Sequence, residues 1–370
     1  MKIAIIVYNL TGGGAERVAS LWMKGFHDSG HTVYAILGDT YDPITYTIPK
    51  EIKVYGIHPR IRNHTLRYAF MRIFRNYKVQ KLKKIFDETN PDLVICVCPA
   101  WGKLVYAAQG SHKFKVIGTD HNSYEVPNYM QLSKEQQYFK FEFNKNFDHI
   151  TVLTQADKDV IGNRFSNVTV LPNPLGLKPS NSVPPKKKII LASGRLNAWH
   201  VKGFDLLIES WGRICKSYPD WTLRIVGGGS KESVHIIKSL INKANCTEQV
   251  ELVGYSKNIQ AQYQESSIFV LSSRYEGFGM VLIEAMSQGC ACIACDFRGR
   301  QREIIRNEHE GVICPIDDVN ALSVAIARLI TDNHYRNDLQ KSSIIRAEDF
   351  SLDNIMNKWN TILKSMDLPK

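Results

Sequence analysis

The sequence predicts an α/β protein made of two doubly wound domains, each a parallel sheet flanked by helices. Two observations lead there. Short apolar runs alternate with amphipathic stretches along both halves of the 370-residue chain, the order that gives a parallel sheet. A polar stretch containing Pro179, Pro184, Pro185 and Lys186-Lys187-Lys188 separates the halves, and a chain this long exceeds what one core usually serves. The expected division is 1–176, 177–350 and a closing segment, 351–370, whose helix returns to the first domain. A cleft is expected between the two domains.

The elements follow in order. Ile3–Val7 reads as a buried strand, Gly12-Gly13-Gly14 as a turn, and Ala15–Phe26 as a helix. Thr32–Leu37, Asp92–Val97, Lys115–Gly118 and His149–Leu153 are further strands. After Leu171-Pro172-Asn173-Pro174 a second series begins at Ile189–Ser193. It continues through Trp221–Val226, Val250–Gly254, Ile268–Ser272 and Ala291–Ala294, and Leu352–Met366 closes as a helix. In such sheets ligands gather at the carboxyl ends of the strands.

Composition narrows the class. Apolar residues make up 44% and charged residues 22%, ordinary for a soluble domain. No run of about 18 apolar residues is present, and the first apolar run is too short for a secretion signal. A cytoplasmic protein is expected, with a peripheral place on the inner face of the membrane as the alternative. The 8 cysteines show no paired ligand spacing. Cys96, Cys98, Cys290, Cys292 and Cys295 lie in apolar runs, where cysteine serves as a small apolar residue. No metal site or cofactor is expected. The net charge of +11 carries no nucleic-acid motif with it, so no nucleic-acid partner is expected.

Three places at strand ends carry chemistry. Gly12-Gly13-Gly14 opens a helix, where backbone can approach an anion. It lacks the spacing of a dinucleotide fingerprint and the ending of a P-loop, so a purely structural turn is an equal reading. Arg195 and Lys202 follow the first strand of the second half. Such a pair can clamp two phosphates, the arginine as a fork and the lysine as a point charge, or can be solvated surface charge. The richest stretch runs from Ser272 to Met286. Gly277 and Gly279 bracket Phe278, a helix starts near Met280, and the amides of Gly279, Met280 and Val281 would face a ligand. Glu276 precedes that helix and Glu284 lies about a turn inside it. They suit sugar and ribose hydroxyls, or else a helix-dipole partner and a surface glutamate.

Glu276 and Glu284 have seven residues between them, and this spacing resembles the EX7E motif of retaining glycosyltransferases with the GT-B fold, family GT4. Thr119-Asp120-His121-Asn122, Leu171-Pro172-Asn173-Pro174, Gly194-Arg195 with Lys202-Gly203, Val226-Gly227-Gly228-Gly229 and Val253-Gly254-Tyr255 fall in the family's order. The resemblance covers nearly the whole chain. It implies that Arg195 and Lys202 neutralise the donor diphosphate, that Glu276 grips the transferred sugar and that Glu284 holds the ribose. It further implies that Gly277, Phe278, Gly279 and Met280 form the loop contacting sugar and phosphate, and that Gly254 and Tyr255 hold the base. His121 would lie near the sugar, and Gly13 and Gly14 would close over the phosphates on the acceptor side. Asp296 to Glu303 departs from the family, being rich in arginine where relatives carry a Gly-Pro-x-Glu-like turn.

Two glutamates also suit a glycosidase, which needs carboxyls about 5 Å apart to retain configuration. The glycines and the Arg195/Lys202 pair favour an anionic leaving group instead. The resemblance implies a metal-independent retaining transfer with α linkage, from a nucleotide diphosphate sugar, UDP-linked in the first instance, of a hexose or N-acetylhexosamine. The implied acceptor is a glycan, such as an undecaprenyl-diphosphate-linked precursor of O-antigen, capsule or lipopolysaccharide. A UDP-sugar epimerase on the same fold is the leading alternative, and a dehydrogenase is a weaker one.

A basic run remains. Arg60 to Phe86 holds nine Arg or Lys and no acid, with Leu66, Phe70, Ile73, Phe74 and Tyr77 at helical spacing. A basic amphipathic helix can lie on an anionic membrane, or can pack its apolar stripe on the domain and face water.

Overall fold

The computed structural model describes residues 1–41, 43–58 and 74–368. The chain forms two compact units, Met1–Gly176 with Leu352–Lys370, and Leu177–Ser351. Each has a parallel sheet with helices packed on it.

In the first unit the described strands are β1 (Lys2–Val7), β2 (Thr32–Leu37), β3 (Lys53–Gly56), β4 (Leu93–Val97), β5 (Lys115–Thr119), β6 (His149–Val152) and β7 (Val168–Val170). Their order is β3-β2-β1-β4-β5-β6-β7. Ile5 sits opposite Ala35 on one side and Ile95 on the other. β1 is apolar throughout its buried length because helices cover both faces of a parallel sheet. Chain order reverses between β1 and β4, which makes their carboxyl ends the switch point where ligands bind in such sheets. β3 and β7 were not expected from the sequence. They are short edge strands of mixed exposure, so no continuous apolar run marks them.

The helix Gly14–Asp28 buries Val18, Ala19, Trp22, Met23 and Phe26 along one stripe. The last helix, Leu352–Ser365, lays Ile355, Met356, Trp359, Ile362 and Leu363 inward and packs on it. The Trp359 ring meets Trp22 at 5.1 Å and 88°, and Phe26 at 5.4 Å. A side chain at Gly25 would lie 2.5 Å from the Met356 sulfur, so the glycine sets how closely the two helices approach.

The basic run lies partly outside the described residues, including Leu66, Phe70 and Ile73. Its described part is the helix Arg75–Thr89, which buries Leu82, Ile85 and Phe86. Phe74 and Tyr77 are exposed on the other side. Lys78, expected on the charged face, is instead buried. Among the described residues, this helix packs through Leu82, Ile85 and Phe86.

In the second unit the strands are β8 (Lys187–Ser193), β9 (Thr222–Val226), β10 (Val250–Gly254), β11 (Ser266–Leu271), β12 (Ala291–Asp296) and β13 (Gly311–Pro315). Their order is β10-β9-β8-β11-β12-β13, with the switch between β8 and β11. The core gathers Trp211, Leu223, Ile268, Ile293 and Ile326 around the sheet. The proline-rich stretch, expected as a linker, is fastened to this unit. Ser180 N donates to Ser287 O at 2.9 Å, and the Lys186 amine donates to Gln288 O at 2.7 Å and Tyr263 O at 3.0 Å. Cys96, Cys290, Cys292 and Cys295 are buried, whereas Cys98 is exposed. Burial pushes the Cys290 thiol up to about 11, which keeps it protonated and inert. Cys98 ends its strand with φ 112, which turns it out of the run.

Candidate functional site

In the second unit the predicted residues converge at the carboxyl ends of β8, β9, β10 and β11. Arg195 follows β8, and the turn through Lys202 leads into the helix Phe204–Ile214. Glu276 follows β11, four residues ahead of the helix Met280–Ser287. These two loops meet. The Lys202 amine lies 2.7 Å from Glu276 Oε1, with the side chains 22% and 12% exposed. Ser273 Oγ donates to the same oxygen at 2.7 Å. An ammonium and a carboxylate thus sit side by side, mostly buried, with part of each still exposed.

Glycine permits this approach. Gly203 has φ 63, and a Cβ there would lie 1.9 Å from Ser272 O. No residue with a side chain fits so near a carbonyl. Gly227 is similar, since its Cβ would lie 1.8 Å from Gly194 O. Gly194 N donates to Val226 O, and Gly227 N to Gly254 O, which ties the ends of β8, β9 and β10 together. Tyr255 is 79% exposed beside Gly254.

Gly279 caps the helix Met280–Ser287 with φ 104. The first amides of that helix, at Met280 and Val281, have no carbonyl in the preceding turn to receive them. Gly277 precedes Phe278, which is buried and meets Phe350 at 5.7 Å, so its ring anchors the loop and only the backbone is left to face a ligand. Glu284 is no surface residue, being 3% exposed. Tyr263 donates to its Oε2 at 3.3 Å, and Ser193 Oγ lies 3.2 Å from the tyrosine oxygen. Burial, with the neighbouring Glu284 charge, pushes the Tyr263 phenol well above its usual value, so it stays a donor that orients Glu284. The sequence held no signal for Tyr263, which lies on the helix Ile259–Glu265 far from the motif. Arg274 lies within the Ser272-to-Met286 stretch, and nothing in the sequence marks its partners.

The remaining predicted residues belong to the first unit. Gly13 has φ 117 and Gly14 starts the helix after β1. Tyr46 donates from its hydroxyl to Gly13 O at 3.0 Å, and Arg17 reaches Gly176 O at 2.9 Å. His121 follows β5. Its ring nitrogens lie 3.1 Å from Thr119 Oγ1 and 3.2 Å from Asn173 Oδ1, and Trp22 stands 5.4 Å from the ring. The segment carrying His121 is braced by a buried pair the sequence did not reveal. The Lys140 amine donates to Asp120 Oδ2 at 2.7 Å and Asn122 O at 3.0 Å, and lies 4.2 Å from the Tyr124 ring centre.

Burial drives the His121 pKa down to about 4, against the Asp120 charge and the Asn173 hydrogen bond, which push it up. The ring is therefore neutral at pH 7. An unfolded chain takes that proton near pH 6.5, while the folded chain resists it until about 4. Stability from this site is complete above pH 6.5 and is lost as pH falls toward 4. His58, also lowered to about 4 by burial, acts in the same window. His121→Gln should flatten the decline in denaturation midpoint between pH 6.5 and 4.5 relative to the unmodified protein. An unchanged slope would show that His121 does not titrate in this way.

Two family models match this chain, Glycosyltransferase Family 4 over residues 12–177 and Glycosyl transferases group 1 over 177–346. Between them they account for both units. The chain is a glycosyltransferase with the GT-B fold, and its first unit matches the Family 4 model. Among its relatives, the amylovoran biosynthesis glycosyltransferase AmsD of Erwinia amylovora is 29% identical over 380 aligned positions, covering 98% of the enzyme and 99% of AmsD. A Campylobacter jejuni alpha-1,4-N-acetyl-D-galactosaminyltransferase, named for its GalNAc-alpha-(1->4)-GalNAc-alpha-(1->3)-diNAcBac-PP-undecaprenol substrate, is 25% identical, covering 97% of each chain. The fold matches Staphylococcus aureus TarM, solved with Fondaparinux, alpha-GlcNAc-glycerol and UDP. The TM-score is 0.78 at 17% identity, over 98% of the enzyme and 99% of that chain. Both models describe transferases, so the epimerase alternative is not favoured.

Proposed function

We propose that the enzyme moves a hexose or N-acetylhexosamine from a UDP-sugar to a lipid-linked glycan, with retention of configuration and no metal. The observation that carries this reading is the Lys202–Glu276 pair, 2.7 Å apart where β8 and β11 end, with Glu284 buried behind it. A cation and an acid so close suit the two halves of one donor. Lys202 and Arg195 would take the diphosphate, and Glu276 the hydroxyls of the sugar. Glu284, oriented by Tyr263, would take the ribose, and Gly254 and Tyr255 the base.

Transfer breaks the bond between the anomeric carbon and the diphosphate oxygen. Charge then grows on the phosphate, where fixed cations and helix amides stabilise it more in the transition state than in the ground state. The acceptor hydroxyl adds on the same face, and its proton passes to the departing phosphate oxygen. His121, neutral at pH 7, would serve as a hydrogen-bonding group near the sugar and not as a second cation. Gly13 and Gly14 would line the acceptor side.

UDP as nucleotide is supported by the TarM complex, and a lipid-linked acceptor by the Campylobacter jejuni relative. Polysaccharide assembly is supported by the amylovoran enzyme. The experiment is incubation with UDP-sugars and undecaprenyl-diphosphate-linked oligosaccharides, followed by NMR of the product. A new α linkage with UDP released in equal amount is expected. A β linkage overturns retention, and an isomerised sugar nucleotide formed without acceptor overturns transfer.

A lipid-linked acceptor would bring the enzyme to a membrane. On the helix Arg75–Thr89, Arg75, Lys81, Lys83 and Lys84 are exposed, which suits an anionic surface. Sedimentation with anionic vesicles should show binding that weakens as salt rises. No binding at low salt would remove the membrane contact and leave the transfer reading intact.

A further inference from the structure

We propose that Arg274 is the positioning residue that sets the spacing of Lys202 and Glu276, a role that rests on the donor-site reading above. Arg274 lies between Ser272, where the strand has ended, and Glu276. It is 6% exposed, so its guanidinium persists there only if its donors are met.

Its partners come from two separate segments, residues 200–205 and the turn after β13. Nη1 and Nη2 form a fork on Asp205, each at 2.8 Å, in the first turn of the helix that follows Lys202. Nη1 also donates to His200 O at 2.6 Å, on the turn that carries Lys202. Nε donates to Asp317 Oδ1 at 2.6 Å, beyond the end of β13. Burial works against its charge, but hydrogen bonds to Asp205 and Asp317 raise the guanidinium above its ordinary value, so it is always charged.

The backbone repeats the connection. Arg274 N donates to Val201 O at 2.8 Å, and Ser272 Oγ donates to Lys202 O at 2.9 Å. The peptides on both sides of Lys202 are thus held from the loop that carries Glu276. Gly203 completes the join by resting against Ser272 O. The two loops behave as one piece, and Arg274 is the only described side chain that bonds to Asp205, His200 and Asp317 together. Arg274 itself has no need to touch the donor. It fixes where the ammonium and the carboxylate stand, and an ångström of misplacement costs about 100-fold in rate.

A lysine at 274 keeps the charge and loses the planar fork. Arg274→Lys, Lys202→Ala and the double variant should be compared by calorimetric titration with UDP and by melting temperature. Ile326→Val, in the core of the same unit, serves as a control for mere loss of stability. The expected result is that Arg274→Lys weakens UDP binding about 10-fold or more. In the Lys202→Ala background the same change should add less than about threefold, because it acts through the residue already removed. Ile326→Val should leave UDP affinity unchanged.

Multiplying losses in the double variant would overturn the proposal, as would wild-type UDP affinity in a folded Arg274→Lys protein. An equal loss in Ile326→Val would reduce Arg274 to general stability. If Lys202→Ala itself binds UDP normally, the donor-site reading fails instead. That failure is distinguishable because it appears in the single variant. Should Arg274→Lys not fold, Asp317→Asn tests the same clamp through its more exposed arm, with a smaller loss in the same direction expected and no loss counting against it.

Discussion

Lys202→Ala should remove most transfer, lowering kcat/KM by about 10²–10³, while leaving the fold intact. The ammonium stands 2.7 Å from Glu276 at the end of β8 and β11, with its side chain 22% exposed, so part of it is open to a ligand. Ser273 still donates to Glu276 without the ammonium. The value of the ammonium lies in the reaction, where a leaving diphosphate gathers negative charge. Removing the cation therefore costs rate far more than it costs folding. Steady-state transfer rates with circular dichroism as a folding control provide the check. Wild-type rates from folded Lys202→Ala would mean that the diphosphate is held elsewhere.

Trp359→Ala should destabilise the first unit by about 3–5 kcal/mol. Trp359 is fully buried between Trp22 and Phe26, on a helix that belongs to the end of the sequence. Its loss opens a cavity against the helix Gly14–Asp28, whose other neighbours include the His121 ring. Trp359→Phe should cost much less. The indole Nε1 of Trp359 is buried without a hydrogen-bond acceptor among the described residues, so phenylalanine keeps an aromatic edge against Trp22 and removes an unmet donor. Calorimetric melting measures this. The expected outcome is an earlier transition for Trp359→Ala and a near-normal one for Trp359→Phe. Equal melting of all three proteins would show that the closing helix contributes nothing to that core.

The sequence made the central strands legible because parallel strands covered on both faces are continuous apolar runs, as in Ile3–Val7 and Ile189–Ser193. Edge strands β3 and β7 were hidden, since a strand covered on one side carries no such run. Arg195, Lys202, Glu276 and Glu284 were legible because they follow strand ends with glycine around them. What escaped was the support beneath them. Arg274, Tyr263 and the Asp120–Lys140 pair act through partners tens of residues away, and only folding brings those partners near. The proline-rich stretch misled for a related reason. Its composition reads as a linker, yet Ser180 and Lys186 find hydrogen-bond acceptors on the second unit. The burial of Lys78 was equally invisible, because a lysine stem can pack like an apolar chain.

The central claim is that Lys202 and Glu276 divide a nucleotide sugar between them, one holding diphosphate and the other sugar. Calorimetric titration of UDP into the unmodified enzyme, Lys202→Ala and Glu276→Ala tests this most directly, because UDP carries the diphosphate without the sugar. The account predicts that Lys202→Ala weakens UDP by about 10- to 100-fold, while Glu276→Ala binds it nearly as well as the unmodified enzyme. Unchanged UDP affinity in Lys202→Ala would contradict it.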